Sequence, residues 1–246
     1  MLTVLDLFSG IGGFSLGLER TGGFKTVAFC EIDPKARAVL AHHWPEVPRY
    51  EDVTKLHLPA GFADVICGGF PCQDVSVANT GGRRGLAGER SGLWTEYARL
   101  IGEVGPRFVI VENTPGLLSL GMDRVLGDLS ERGYDAEWRV IPACSVGRPT
   151  VRNRLWLVAF PMREGREGCL QYLGALGLTP TASAERRHAA ARERTALVND
   201  FGGLRADHGF SVTVERRRIH QFGNAVVPAI PELIGRAILK AEGLTA

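Results

Sequence analysis

Short apolar runs, each stopped by glycine, proline or an acidic residue, alternate with stretches of helical spacing along most of the chain. Leu2–Leu7 reads as a strand with Asp6 near its end, followed by a glycine-rich turn, Phe8 to Phe14, and a helix to about Arg20. Lys25–Cys30 predicts a second strand. A helix over Pro34–His43 follows, with Asp33 as its cap and proline at its first position. Glu51-Asp52-Val53 closes a third, short strand, and Ala63–Cys67 is a fourth, ended by Gly68, Gly69 and Pro71. Further on, the pattern predicts a helix over Leu93–Val104, a strand over Arg107–Val111 and a helix over Met122–Arg132 with Val125, Leu126 and Leu129 on one face. Tyr134–Ile141 reads as a strand, and Val146–Phe160 as a turn and another strand. Ile230, Leu233, Ile234, Ala237 and Ile238 mark the buried face of a last helix. Consecutive strand–helix units of this kind build an α/β fold around a doubly wound, mostly parallel sheet.

Composition narrows the picture. At 246 residues and 45% hydrophobic, the chain is one large domain, or one domain plus a small one, with material for a sizeable core. A net charge of +2 permits a nucleic-acid partner without requiring one. The cysteines are Cys30, Cys67, Cys72, Cys144 and Cys169, an odd number with no CxxC pair. That argues against a disulfide framework or a zinc site and for a reducing compartment. The first residues lack the basic region of a signal peptide, and no apolar run approaches a membrane span.

Candidate chemistry gathers where strands end. In an open α/β sheet, ligands bind at the carboxyl edge. Cys72 follows the fourth strand there, as a nucleophile or a buried filler with equal weight on that stretch alone. The turn after the first strand, reading G-I-G-G from Gly10, is a nucleotide cradle or only a tight connection. Glu31, after the second strand, suits a ribose diol. Asp52 is either an acceptor for an adenine amino group or a lone loop aspartate. Glu112 lies in the same row as Cys72, placed for proton chemistry or present as an ordinary loop acid. Arg152 and Arg154 alternate and so leave their strand on one face, a substrate face or a solvated one. His42 and His43 are adjacent and read as surface residues pointing apart. Asn79 to Trp94, rich in Gly and Arg, suits a loop that closes over nucleic acid.

DLFSGIGGF, the EID step, GGFPCQ, the paired arginines and QFGNAVVP together resemble the cytosine-5 DNA methyltransferase family, of bacterial or phage type. The resemblance covers Leu2 to about Phe160 and about Gln221 to Leu239. It departs from the family at Thr114 and at Thr150, where valine and glutamine are usual. It implies the S-adenosylmethionine-dependent methyltransferase fold, with residues 1–160 and 219–246 as catalytic and cofactor-binding domain. A small, irregular target-recognition segment at 161–218 is then shorter than the family's. Within it, Ala182–Leu197 favours a helix, and LTPTASAER, from Leu178, resembles the block that follows the recognition region. By the same resemblance the cofactor is held by Phe8, Gly10, Ile11, Gly12, Gly13, Glu31, Ile32, Asp52, Val53, Pro71, Leu93, Asn224 and Ala225, with S-adenosylhomocysteine as product and no metal. Cys72 attacks C6 of a flipped-out cytosine, Glu112 serves N3, and Arg152 and Arg154 face the base. Gln73, Ser76, Arg83, Arg84, Arg216, Arg217 and Arg218 contact DNA. The expected protein is a monomeric DNA (cytosine-5-)-methyltransferase acting on duplex DNA. It would work in the cytoplasm of a bacterium, or as a viral product inside one, with a separately encoded restriction endonuclease as further partner. A tRNA cytosine-5 methyltransferase, and a catalytically weak DNA- or cofactor-binding remnant, are the alternatives.

Overall fold

The structure, a computed structural model, describes residues 1–71, 93–147, 152–162 and 225–244. Its elements are β1 (Leu2–Leu7), α1 (Gly13–Glu19), β2 (Phe24–Cys30), α2 (Pro34–His43), β3 (Arg49–Tyr50), β4 (Val65–Gly68), α3 (Leu93–Val104) and β5 (Phe108–Asn113). They continue with α4 (Leu117–Leu120), α5 (Met122–Glu131), β6 (Tyr134–Pro142), β7 (Asn153–Pro161) and α6 (Ala229–Ala241). The strands form one sheet in the order β3-β2-β1-β4-β5-β7-β6. The first five strands in that order run parallel, and β7 lies antiparallel between β5 and β6. Strand order reverses between β1 and β4, the switch point at which such sheets bind ligands.

Burial on both faces explains the apolar runs of the central strands. One face carries Leu5, Leu7, Ile66, Val109 and Val111 against Trp94, Tyr97 and Ile101 of α3 and Val125 and Leu129 of α5. The other carries Leu2, Val4, Val65, Phe108 and Trp156 against Phe14 and Leu18 of α1 and Ile230, Ile234 and Ile238 of α6. The two helices of this second layer meet closely. A Cβ at Gly17 would overlap the Pro228 carbonyl oxygen, and one at Gly235 would stand 3.1 Å from Leu18, Thr21 and Phe24.

Most predicted elements stand, with local differences. The third strand is only Arg49–Tyr50, and Asp52 and Val53 belong to a short 3-10 turn instead. The reason is local: the Asp52 carboxylate accepts from the Thr54 amide at 3.0 Å and its hydroxyl at 2.7 Å, which caps a turn and stops a strand. β5 runs on through Glu112 and Asn113 because β7 supplies partners, pairing Glu112 with Trp156 and Asn113 with Leu155. On α6, Leu233 is half-buried and Leu239 is buried. His42 and His43 are exposed as expected, but their rings do not point apart; they meet edge to face at 5.0 Å. The helix expected over Ala182–Leu197 lies outside the described residues. Among the described residues, no helix is long and apolar enough to cross a membrane.

Candidate active site

The turn between β1 and α1 is held open from below. Phe8 at φ 52° and Gly10 at φ 54° are both left-handed. For Phe8 that conformation costs roughly 1–2 kcal/mol, and the ring is held in a stacked contact with Tyr97. Glu31 ties the turn to the start of α2: its carboxylate accepts from the Gly10 amide at 2.7 Å and from the Asp33 amide at 2.8 Å. Nothing lies within 4 Å of a Cβ at Gly10, so this side of the turn is bare backbone facing open space. Beside it, Ile32 is 74% exposed. Gly12 fits only glycine, since φ is 85° and a Cβ would stand 2.7 Å from the Trp44 ring.

Gly12 gives α1 no side-chain cap. Asp6 acts in its place from β1, where its Oδ2 accepts from the Ser15 hydroxyl at 2.8 Å and the Ser15 amide at 3.3 Å. Asp6 is fully buried, and burial pushes its pKa from 3.8 up to about 8 against the pull of those Ser15 bonds. Apart from being an acid inside an apolar strand, Asp6 carries no local sign of this role.

The expected cofactor residues are placed unequally. Phe8, Gly10, Ile11, Gly12, Gly13, Glu31 and Ile32 surround the turn. Asp33 caps α2 through the Lys35 amide, as expected. Asp52 is bound up in its own cap, and the Thr54 hydroxyl, then its amide, hold that carboxyl below its ordinary range. Val53 is a core residue at 6% exposure. Pro71 and Leu93 are half-buried at the edges of the described chain. Ala225 offers its carbonyl to Arg152, and Asn224 lies outside the described residues.

A second group forms at the carboxyl edge of β5. Glu112 Oε1 meets Arg154 Nε at 2.8 Å and Arg152 Nη2 at 3.9 Å, so the alternating arginines do leave on one face, toward this carboxyl. A Cβ at Gly69 would stand 2.8 Å from Glu112 Oε2, so only glycine there leaves the carboxyl its room. Burial raises the Glu112 pKa above the ordinary range, and Arg154, then Arg152, oppose without cancelling it. Burial and the Arg154 charge lower that of Arg152. Ala143, Trp156, Val226, Val227 and Ile230 complete a small cleft around the three charged groups. Two guanidiniums around one carboxyl leave it net positive. The alternation that pointed to Arg152 and Arg154 extends to Trp156, so that signal was present; Gly69 and Val226 carried none.

Cys72, Gln73, Ser76, Arg83, Arg84 and Arg216 to Arg218 lie outside the described residues. The described cysteines, Cys30, Cys67 and Cys144, are all buried. Burial pushes the Cys30 thiol up to about 12 and that of Cys67, beside Asp6, well above its ordinary value, which makes both inert. The described residues contain no cluster that could hold a metal ion.

This sheet order, with a glycine turn after its first strand and an acid after its second, is the α/β methyltransferase fold. The description C-5 cytosine-specific DNA methylase matches residues 2–200, and the chain belongs to that family. It is 40% identical over 167 residues to the type II methyltransferase M2.BsuMI of Bacillus subtilis, covering 64% of this chain and 42% of that protein. It is 38% identical over 165 residues to M.Eco47II of Escherichia coli, covering 64% and 39%. The chain thus spans about two fifths of the length of these curated relatives. Among solved structures, a prophage-encoded E. coli protein is similar at 30% identity and a TM-score of 0.54, covering 65% of this chain and 47% of that one. The Dnmt2 methyltransferase of S. pombe shares the fold at 18% identity and a TM-score of 0.58, covering 72% and 54%.

Proposed function

We propose that the protein transfers a methyl group from S-adenosylmethionine to C5 of a cytosine flipped out of duplex DNA, through a transient bond between Cys72 and C6. The observation that carries this reading is Glu112: a buried carboxyl, held by Arg154 and Arg152, with Gly69 against its other oxygen three residues before Cys72. The residues around the turn fit the cofactor. An open stretch of backbone at Gly10, a carboxylate at Glu31 and the exposed apolar surface of Ile32 match a nucleoside with a ribose diol. When bound, that group supplies an electrophilic methyl on a sulfonium.

Cytosine C5 is a weak nucleophile, and the chain's own residues have to activate it. The Cys72 thiolate adds to C6, and Glu112 gives its proton to N3 as the ring's electrons move toward C5. Arg152 and Arg154 stabilise the charge that gathers on O2 and favour the thiolate. Burial, which raises the Glu112 pKa, favours the protonated form that this task needs. After methyl transfer a base takes the C5 proton, the C6–S bond breaks, and N3 returns its proton to Glu112. The atom under attack is out of reach inside a duplex, so the base must leave the stack.

Tritiated methyl incorporation tests the reading. Glu112→Gln should keep cofactor affinity by calorimetry and lose about 10²–10⁴-fold in methyl transfer to duplex DNA. A duplex with 5-fluorocytosine at the target should trap the protein covalently, and Cys72→Ala should abolish both trapping and transfer. Transfer by Cys72→Ala at a comparable rate would exclude the covalent route, and transfer to tRNA alone would exclude the duplex substrate.

A further inference from the structure

Ala225–Pro228 runs between α1 and the cleft. On one side of Ala225–Pro228 lies α1: a Cβ at Gly13 would stand 2.6 Å from the Val226 carbonyl oxygen and 3.0 Å from Val226 Cβ. One turn further along, Gly17 leaves the same kind of room for Pro228. On the other side lies the cleft. The Ala225 carbonyl accepts from Arg152 Nη1 at 2.8 Å, and Val226 and Val227 line the space around Glu112. A second contact runs in the same direction, from Phe14 of α1 edge-on to Trp156 with ring centres 5.5 Å apart. Trp156 is the residue paired with Glu112 in the sheet. Groups packed this closely pass a displacement on instead of absorbing it.

We propose that Val226 is a positioning residue for the cleft: seated on the glycine face of α1, it fixes the Ala225 carbonyl and, through it, the Arg152 guanidinium beside Glu112. This rests on reading the cleft as the pocket of the flipped base. The contact that aims Arg152 then comes from the helix that opens the cofactor site, and Gly17, in neither pocket, is part of it.

The test reads Glu112 directly in the ligand-free protein, by carbon NMR of labelled glutamate as pH is varied. Among the described residues, the charges that face Glu112 are Arg154 and Arg152, and both favour its ionised form. Gly69, Ala143, Val226, Val227 and Ile230 bring none. Gly17→Ala, which must push Pro228 away, and Val226→Gly, which removes the Cβ seated on Gly13, should each raise the Glu112 midpoint by about half a pH unit or more. Val226→Ala, which keeps that Cβ, should stay nearer the parent. An unchanged midpoint in both folded variants would overturn the proposal. If Gly17→Ala does not fold, Val226→Gly decides alone. The base-pocket reading fails on a different result, full methyl transfer by Glu112→Gln, which leaves the titration to decide the positioning contact.

Discussion

A carboxyl group with no exposure to water resists ionisation, and Asp6 turns that into a dependence of stability on pH. Its pKa is about 8 in the folded chain against 3.8 ordinarily, so between those values the folded state binds a proton that the unfolded state releases. Stability therefore falls as pH rises through that window, by up to about 1.4 kcal/mol per unit. Asp6→Asn keeps an acceptor for Ser15 and cannot ionise. Urea midpoints taken from pH 5 to 8 should fall less steeply for this variant than for the parent, and parallel curves would refute the assignment. Gly69 makes a different single-residue prediction. Gly69→Ala puts a methyl group 2.8 Å from Glu112 Oε2, so the carboxyl has to move or the strand end has to yield. The close atom is the far end of a side chain, so the change falls on the placement of the carboxyl more than on the fold, and methyl transfer should fall by more than cofactor affinity does.

Helix starts show how far an element can be read from its own sequence. α2 carries its cap at Asp33, with proline next, and the whole helix was legible from those residues. Asp33→Ala should cost about 1 kcal/mol, seen as a lower urea midpoint with an unchanged slope. α1 begins on a glycine and borrows its cap from Asp6 on β1, nine positions before Ser15, so no local window contains it. The end of β5 teaches the same lesson. Glu112 reads as a loop residue because its apolar run stops at Val111, yet pairing with Trp156 across an antiparallel neighbour keeps it in the strand. Asp52 fails in the opposite sense: a hydroxyl two residues on decides a turn where the sequence reading closed a strand. The site follows this division. Glu112, Arg152, Arg154 and Glu31 were legible as polar residues at strand ends, whereas Gly69 and Val226 matter through contacts made by distant parts of the chain.

At the scale of the whole molecule, a net charge of +2 is too small to hold the proposed duplex substrate by itself, so that binding would have to come from where the arginines stand. Replacing Arg216, Arg217 and Arg218 by alanine should flatten the plot of log affinity against log salt by about 0.9 for each phosphate these arginines neutralise, with the methylated sequence unchanged by bisulfite sequencing. An unchanged slope would remove these residues from the DNA interface. The packing of α6 on α1 also sets an order of events in time. Phe14, Leu18 and Phe24 share one apolar face with Ile230, Ile234 and Ile238, and about 210 residues separate the end of α1 from the start of α6. A ribosome adding about 5–20 residues per second leaves that face uncovered for roughly 10–40 seconds. β1 and α1 are thus made well before the helix that covers them, so a nascent chain stalled before Ala229 should bind a chaperone that a chain extended through α6 no longer holds.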